Sequence, residues 1–375
     1  MTATSAGNTW FRKFENWLSR GNSALKIGLI AVLVSVVYSV PRLNVPFNDF
    51  YAKNIAHPLT PQPGLNPAEH YAKRAFRITA PGIAHTFGLN TTGAFALEII
   101  TAYLLLIALA FTVFRITKDA LATLIVTLAF TFSYVHQGAV LTNHVQGWEG
   151  YGFFFLALSL LLRNSPLLPL AALPAFFSDE RTFIGFAFII AWNLSDAWKS
   201  RRILTLPVII PFVCIGAAFL IRKYLTAAFG LSLPVGSDNG VGMAIFKANL
   251  MYMPMAVFCS LKSFVFVLLF GTYYMYRNGL KLPALAFGLA VFGSFCAGMI
   301  VHDISKSAAY VFTAILPALG YVYNNLKRSD FIKAASLGLA LNILLPTYMI
   351  IMSGITRIFY VPPTWLTIYL SLKGE

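Results

Sequence analysis

Residues 93–114 read GAFALEIITAYLLLIALAFTVF, and Glu98 is the one charge in the run. A helix needs roughly 20 apolar residues to cross the hydrocarbon of a bilayer, and this stretch supplies them. Shorter or comparable runs recur at 23–40, 120–135, 150–162, 165–177, 182–197, 203–221, 254–276, 282–300, 308–323 and 333–352. The pattern predicts an all-α, polytopic transmembrane bundle of about 11 spans, one domain over residues 1–375. Composition agrees: 58% of the 375 residues are hydrophobic and 11% charged, with a mean hydropathy of +0.71. Those values exclude a water-soluble globular domain of ordinary composition. Runs 150–162 and 165–177, parted by Arg163-Asn164-Ser165-Pro166, are too short to cross alone and read as a half-crossing pair.

The formal charge of +15 does not point to nucleic acid, because Lys and Arg stand in short clusters between apolar runs rather than on one face. Such clusters are a topology signal, with a second use in holding anionic membrane lipid. Cys214, Cys259 and Cys296 lie in apolar runs, which predicts no disulfide. Residues 1–22 are polar and amphipathic. Trp10, Phe11, Phe14, Trp17 and Leu18 at helical spacing against Arg12, Lys13 and Arg20 predict a helix lying on the cytoplasmic leaflet. The run after it lacks a small-residue cleavage site, so Ser23–Val40 reads as a retained span.

The positive-inside rule then puts Arg115, Lys118, Arg163, Lys199, Arg201, Arg202, Arg277, Lys281, Lys327, Arg328 and Lys333 on the cytoplasmic side, with the N-terminus. The outer connections become 41–92, 136–149, 178–181, 222–253, 301–307 and the tail after 353. All six histidines fall on that side, as do Asp49, Glu69, Glu149, Asp179, Glu180, Asp238 and Asp303. The cations Lys73, Arg74, Arg77, Arg222 and Lys223 are discordant there unless something anionic needs them.

The loop 41–92, and above all Asn48 to Asn90, is too long for a simple connection. Seven prolines from Pro41 to Pro81 prevent a single helix. Between Pro67 and Pro81, Ala68–Ala80 has the pattern of an amphipathic surface helix, with Tyr71, Ala75, Phe76 and Ile78 opposite Glu69, Lys73, Arg74 and Arg77. The residues after Thr356 read as interfacial anchoring.

Three short segments carry candidate chemistry. Asp49 follows the first span closely; its carboxylate can accept a proton from a hydroxyl or hold a divalent cation against a phosphate. Its bland role is a helix cap. Ser178-Asp179-Glu180-Arg181 sets two acids and a base in a turn at membrane depth, costly unless they pair or line water. Here the bland role is a cap from Ser178 or Asp179, with Glu180 and Arg181 neutralising each other. Val301-His302-Asp303-Ile304-Ser305-Lys306 repeats the arrangement, and a cap role is open to Asp303 too. His136 and His144 match no metal-ligand spacing and read as structural or interfacial. Glu98 lies near the outer end of its span, whereas Lys262 is deeper and reads as a snorkelling side chain.

The layout, together with Phe47-Asn48-Asp49-Phe50, Arg77-Ile78-Thr79-Ala80-Pro81-Gly82-Ile83-Ala84-His85, Asp179-Glu180-Arg181 and His302-Asp303-Ile304-Ser305-Lys306, resembles the GT-C class of integral membrane glycosyltransferases. The resemblance implies a sugar donor linked to polyprenyl phosphate and entering from the bilayer. It implies a glycan, lipid or protein acceptor at the outer, periplasmic face of a bacterial inner membrane, and an acid of the first outer loop as base. Asp49 matches that acid, with Asp303, Asp179 and Glu180 as the other catalytic candidates. Lys73, Arg74, Arg77, Arg181, His302, Lys306 and His85 become candidates for the donor phosphate. The competing expectations are a transporter or flippase of a lipid-linked or anionic substrate, and another outer-face transferase or a polymerase of envelope glycans.

Overall fold

A computed structural model describes residues 4–39, 49–60, 74–141, 148–201, 205–232, 242–301, 303–351 and 354–359, and these are helical almost throughout. In chain order the helices are α1 Thr4–Ser19, α2 Ser23–Tyr38, α3 Asp49–Ala56, α4 Thr79–Thr86, α5 Thr91–Thr117, α6 Ala120–Thr131, α7 Tyr134–Leu141, α8 Glu149–Leu161 and α9 Pro169–Phe176. There follow α10 Thr182–Lys199, α11 Leu206–Phe229, α12 Met243–Asn249, α13 Met253–Leu261, α14 Phe264–Arg277, α15 Lys281–Met299, α16 Ile304–Ala309, α17 Phe312–Asn325 and α18 Arg328–Leu344. A hairpin of β1 Thr347–Ile351 and β2 Gly354–Phe359, antiparallel, closes the described chain.

The apolar run 93–114 is the spine. Asn90 caps it by accepting the Gly93 N–H at 2.8 Å, and at the helical rise its 27 residues extend about 40 Å. α2, α6, α7 and α8 all pack on it. The α2 contact is close because residue 28 is glycine: a Cβ there would sit 2.9 Å from Ile107 Cα, so small size is what lets the two backbones approach. α8 runs antiparallel to α5. Gly150 N–H meets Glu98 Oε1 at one end (2.9 Å), and Arg115 meets the Leu161 carbonyl at the other (2.6 Å). These contacts define an acidic and a basic end of the bundle, about 25 Å apart along α5.

Four helical stretches are long and apolar enough to cross a membrane: Thr91–Thr117, Leu206–Phe229, Lys281–Met299, and Met243–Leu261, in which α12 runs through the 3₁₀ turn Leu250–Tyr252 into α13. Counting the bent pairs formed by α1 with α2 and by α6 with α7 as one span each gives up to six. The eleven apolar runs thus do not become eleven full-length spans among the described residues. Local causes are visible. α8 and α9 have 13 and 8 residues and pack on each other across the Pro166 turn, as expected of partial crossings. The 254–276 run breaks at Lys262, whose φ is +48°. The last run does not stay helical to 352: Leu345 precedes Pro346 and is extended (ψ 130°), as the proline ring requires, and the chain leaves as β1.

At the N-terminus, α1 turns 115° from α2 through Gly21, at φ +64°. Lys26 Nζ donates to the carbonyls of Trp17 (2.8 Å) and Arg20 (2.7 Å), closing the end of α1. Trp10, Phe11 and Trp17 remain exposed, which suits an interfacial helix.

Three expectations need correction. The connection predicted at 136–149 begins later, because α7 continues to Leu141. His136 within it is fully buried. Its Nδ1 lies 3.1 Å from the Ala102 carbonyl and so donates to it, leaving Nε2 to accept from the Ser35 hydroxyl at 2.5 Å. The ring therefore ties α2, α5 and α7 together. Next, the amphipathic helix expected over 68–80 is interrupted in its described part. Residues 68–73 lie outside the described residues, Arg74 belongs to a 3₁₀ turn, Ala75 to Ile78 are not helical, and α-helix begins only at Thr79. Pro81 then sits in its first turn, where a missing N–H is harmless. Last, Lys262 does not snorkel. It is fully buried, and Nζ donates to the carbonyls of Phe132 (2.7 Å), Asn342 (2.8 Å) and Leu345 (2.7 Å). One ammonium caps the C-terminal ends of α6 and α18, where helix dipoles favour a cation.

Lys262→Met should therefore leave those carbonyls unpaired and destabilise the bundle by roughly 3 kcal/mol or more. Thermal unfolding in detergent reads this directly; an unchanged midpoint would mean that the two helix ends are held by other contacts.

Candidate active site

The site at the acidic end is assembled by backbone contacts first. The start of α4 is pinned to the end of α9: Thr79 N–H donates to the Phe177 carbonyl (2.9 Å) and Thr79 Oγ1 to the Pro174 carbonyl (2.8 Å). That holds Arg77 beside the 178–181 turn. Glu149 opens α8, where an acid suits the helix dipole. α16, beginning at Ile304, presents Lys306 toward it.

Of the ion pairs here, only Arg181 with Asp179 joins neighbours in sequence. Arg77 forms a fork on Glu180, with Nε to Oε2 at 3.0 Å and Nη2 to Oε1 at 2.6 Å, and its Nη1 lies 3.3 Å from Asp179 Oδ2. Arg181 turns back on Asp179, with Nε to Oδ1 at 2.8 Å and Nη2 to Oδ2 at 2.5 Å, and reaches Glu149 Oε1 at 3.4 Å. Lys306 Nζ completes the chain on the same Glu149 oxygen at 2.9 Å. Glu180 and Arg181 therefore do not neutralise each other. Asp179 does serve its turn, accepting the Arg181 backbone N–H at 2.9 Å, but that same carboxylate carries the salt bridges. All of these groups are buried except the Glu180 side chain, which is 34% exposed.

Of the candidate residues, Asp179, Glu180, Arg77, Arg181 and Lys306 form this one network. Asp303 is buried at the head of α16, and its side chain makes no capping hydrogen bond. Arg74 is buried at the edge and donates to Tyr51 Oη at 2.7 Å. His85 stands apart: its Nδ1 meets the Ile55 carbonyl at 3.0 Å and fastens α4 to α3. Lys73 and His302 lie outside the described residues, as does the side chain of Asp49. The backbone of Asp49 starts α3, whose Tyr51 packs edge-on against Phe95 (5.4 Å) and Trp148 (5.7 Å). Trp148 immediately precedes Glu149, so α3 abuts the network.

Glu149, central to the network, and Tyr310, at its border, were not among the site candidates; Glu98, an ionisable group expected to reach the outer cavity, borders it as well. The sequence signal for them is Glu149-Gly150-Tyr151-Gly152. A Cβ at Gly150 would fall 2.7 Å from Glu98 Cγ, and one at Gly152 would fall 2.8 Å from Tyr310 Oη. The two glycines make room for polar side chains. Glu98 Oε2, Tyr310 Oη and Trp148 Nε1 are buried without a hydrogen-bond partner among the described residues, and orphans of that kind ask for an explanation. Trp148 itself sits at φ +84°, a strained backbone for a bulky residue. Among the described residues no group of three or more His, Cys, Asp or Glu is arranged to hold a metal ion.

Electrostatics separates anchors from reactive groups. Burial would raise the Asp179 pKa, but Arg181 and Arg77 overcome it and hold the carboxyl well below the usual carboxylate range. Asp179 is thus a fixed anion that orients two guanidiniums rather than a base near neutrality.

Arg181→Met removes the cation shared by two buried carboxylates and should cost about 3–5 kcal/mol, with part of the loss recovered when Asp179→Asn is added. For Asp179 the folded pKa lies below the unfolded value of about 4. Its stabilisation is complete above that value and is lost as pH falls through the folded one. On acidification below about pH 4, the melting midpoint of the wild type should fall more steeply than that of Asp179→Asn; parallel curves would show that Asp179 is not held as an anion. Compared with protein-family models, curated proteins and solved structures, the chain matches none of them.

Proposed function

We propose that this chain is a membrane glycosyltransferase that moves a sugar from a polyprenyl-phosphate-linked donor to an acceptor at the outer face. The observation that carries the reading is the convergence of Arg77, Arg181 and Lys306 with Asp179, Glu180 and Glu149 from distant parts of the chain, buried at one end of an apolar bundle. In the reaction the acceptor hydroxyl oxygen bonds to the anomeric carbon while the bond from that carbon to the phosphate oxygen breaks. The hydroxyl proton passes to Asp49, and the leaving polyprenyl phosphate gains a negative charge. Fixed cations in a water-poor site stabilise such a charge far better than they would in water.

Glu180 gives the donor its way in. It is the most exposed member of the network, so a phosphate can replace it on the fork of Arg77 while buried Asp179 keeps that guanidinium in place. The GT-C-like layout belongs to the same reading, with α8, α9 and α16 counted as partial crossings. So do an N-terminus in the cytoplasm and a bacterial inner membrane, since Arg115, Lys118 and Arg163 gather at the end away from the network.

One observation favours a second reading. Glu98 lies in the spine helix with Oε2 unpartnered, the placing of a proton carrier in a transporter of an anionic substrate. The test separates the two. Purified protein given lipid-linked sugars should release polyprenyl phosphate, and Asp49→Asn should lower the rate by about 10²–10⁴ with folding intact. Wild-type turnover in that variant would move the base elsewhere. Substrate uptake into proteoliposomes without any released polyprenyl phosphate would replace the transferase by the carrier.

A further inference from the structure

The basic end has a cavity of its own, about 560 Å³, between α5, α8, α10 and α17. Its charged lining is Arg115, Lys118 and Arg163 against the single carboxylate Asp196. Arg163 is the built part. It donates to Asn193 Oδ1 at 2.7 Å and to Asp196 Oδ2 at 2.9 Å, and its guanidinium lies 4.0 Å over the Trp192 ring. Arg115 is set at the rim by its bond to the Leu161 carbonyl (2.6 Å), and it and Lys118 are exposed. Burial lowers the Arg163 pKa, Asp196 works against that, and Arg115 adds to the lowering. Positive charge here is incompletely balanced, and a further anion would relieve it.

A second cavity of about 440 Å³ continues from the first, sharing Trp192, Asp196, Pro317 and Tyr321. Beyond them its walls are apolar, from Leu194, Trp198, Met275, Leu280 and Phe287. Trp198 is 70% exposed, in the manner of an aromatic side chain at a membrane interface. A soluble phosphate compound would use the cationic cleft and leave the groove empty. An amphiphile uses both.

We propose that this pair of cavities binds an anionic glycerophospholipid, its phosphate on Arg115, Lys118 and Arg163 and one acyl chain along the groove beneath Trp198. The site is separate from the network at the acidic end and does not depend on the reaction proposed there. Arginine suits the phosphate because its fork can give two parallel hydrogen bonds.

The test uses the full chain in detergent, with bound lipid counted by native mass spectrometry. Phosphatidylglycerol should be retained and phosphatidylcholine lost. Arg115→Gln/Lys118→Gln, which leaves the half-buried Arg163 contacts alone, should weaken phosphatidylglycerol binding by roughly thirtyfold, the combined effect of two basic side chains near a membrane surface. Glycerophosphoglycerol, the same headgroup without acyl chains, and inorganic phosphate should neither bind nor raise the melting midpoint. Equal retention of the two lipids, or no loss in the double variant, would overturn the proposal. Binding of inorganic phosphate as tight as that of the lipid would also overturn it, in favour of a soluble phosphate ligand.

Discussion

Arg181 is the contact on which the acidic end depends. Its guanidinium spans Asp179 in its own turn and Glu149 at the head of α8, and Lys306 from α16 meets the same Glu149 oxygen. Each of these charges is nearly or wholly out of water, so each would be strongly unfavourable alone. Together they fix the relative positions of α8, α10 and α16 more narrowly than apolar packing would, because a misplaced helix leaves a buried ion without its partner. Apolar contacts in a membrane lack that discrimination, since lipid tails are as apolar as the side chains they replace.

The rest of the bundle follows the same rule with uncharged acceptors. Where α6 and α18 end inside the protein, their last carbonyls have no water to turn to, and Lys262 supplies three donors at once. His136 joins α2, α5 and α7 through one donated and one accepted hydrogen bond. Asn342 does the like for the start of α14 and the end of α6, accepting from Ser263 N–H and donating to the Ala129 carbonyl, both at 2.9 Å. Broken helices are tolerable at this depth because side chains complete the backbone. At the basic end Arg328 bridges the α6 cap Asp119 and Glu15 of α1, so both ends are closed by arginine.

Helical class, membrane character and the need of the 178–181 charges for partners were legible, because charges beside long apolar runs are costly unless they are paired. Pairing was not. Arg181 and Glu149 are 32 residues apart, and Lys306 and Glu149 are 157 apart, and no local rule connects them. Lys262 was misread for a related reason: snorkelling is the default for a lone lysine in an apolar run, and nothing local announces that two helix ends present three carbonyls to it. The hairpin did leave a signal. Thr347-Tyr348-Met349-Ile350-Ile351 and Gly354-Ile355-Thr356-Arg357-Ile358-Phe359 are rich in β-branched residues, but hydropathy counts them as apolar and joined the first of them to the helix before it.

The two ends hold positive charge in opposite physical states, and that difference bears on what each can do. At the acidic end Arg77, Arg181 and Lys306 are buried and held by carboxylates, so their orientation is fixed by the protein rather than by solvent. At the basic end Arg115 and Lys118 stay in contact with solvent, where their attraction is longer in reach but screened by salt. Burial costs desolvation, which at the acidic end is offset by close pairing with carboxylates and at Lys262 by three carbonyl acceptors. A chain that placed its cations for topology alone would have no reason to sink three of them among acids at the end farther from its basic connections, and the buried set is therefore the part of the charge pattern that insertion leaves unexplained.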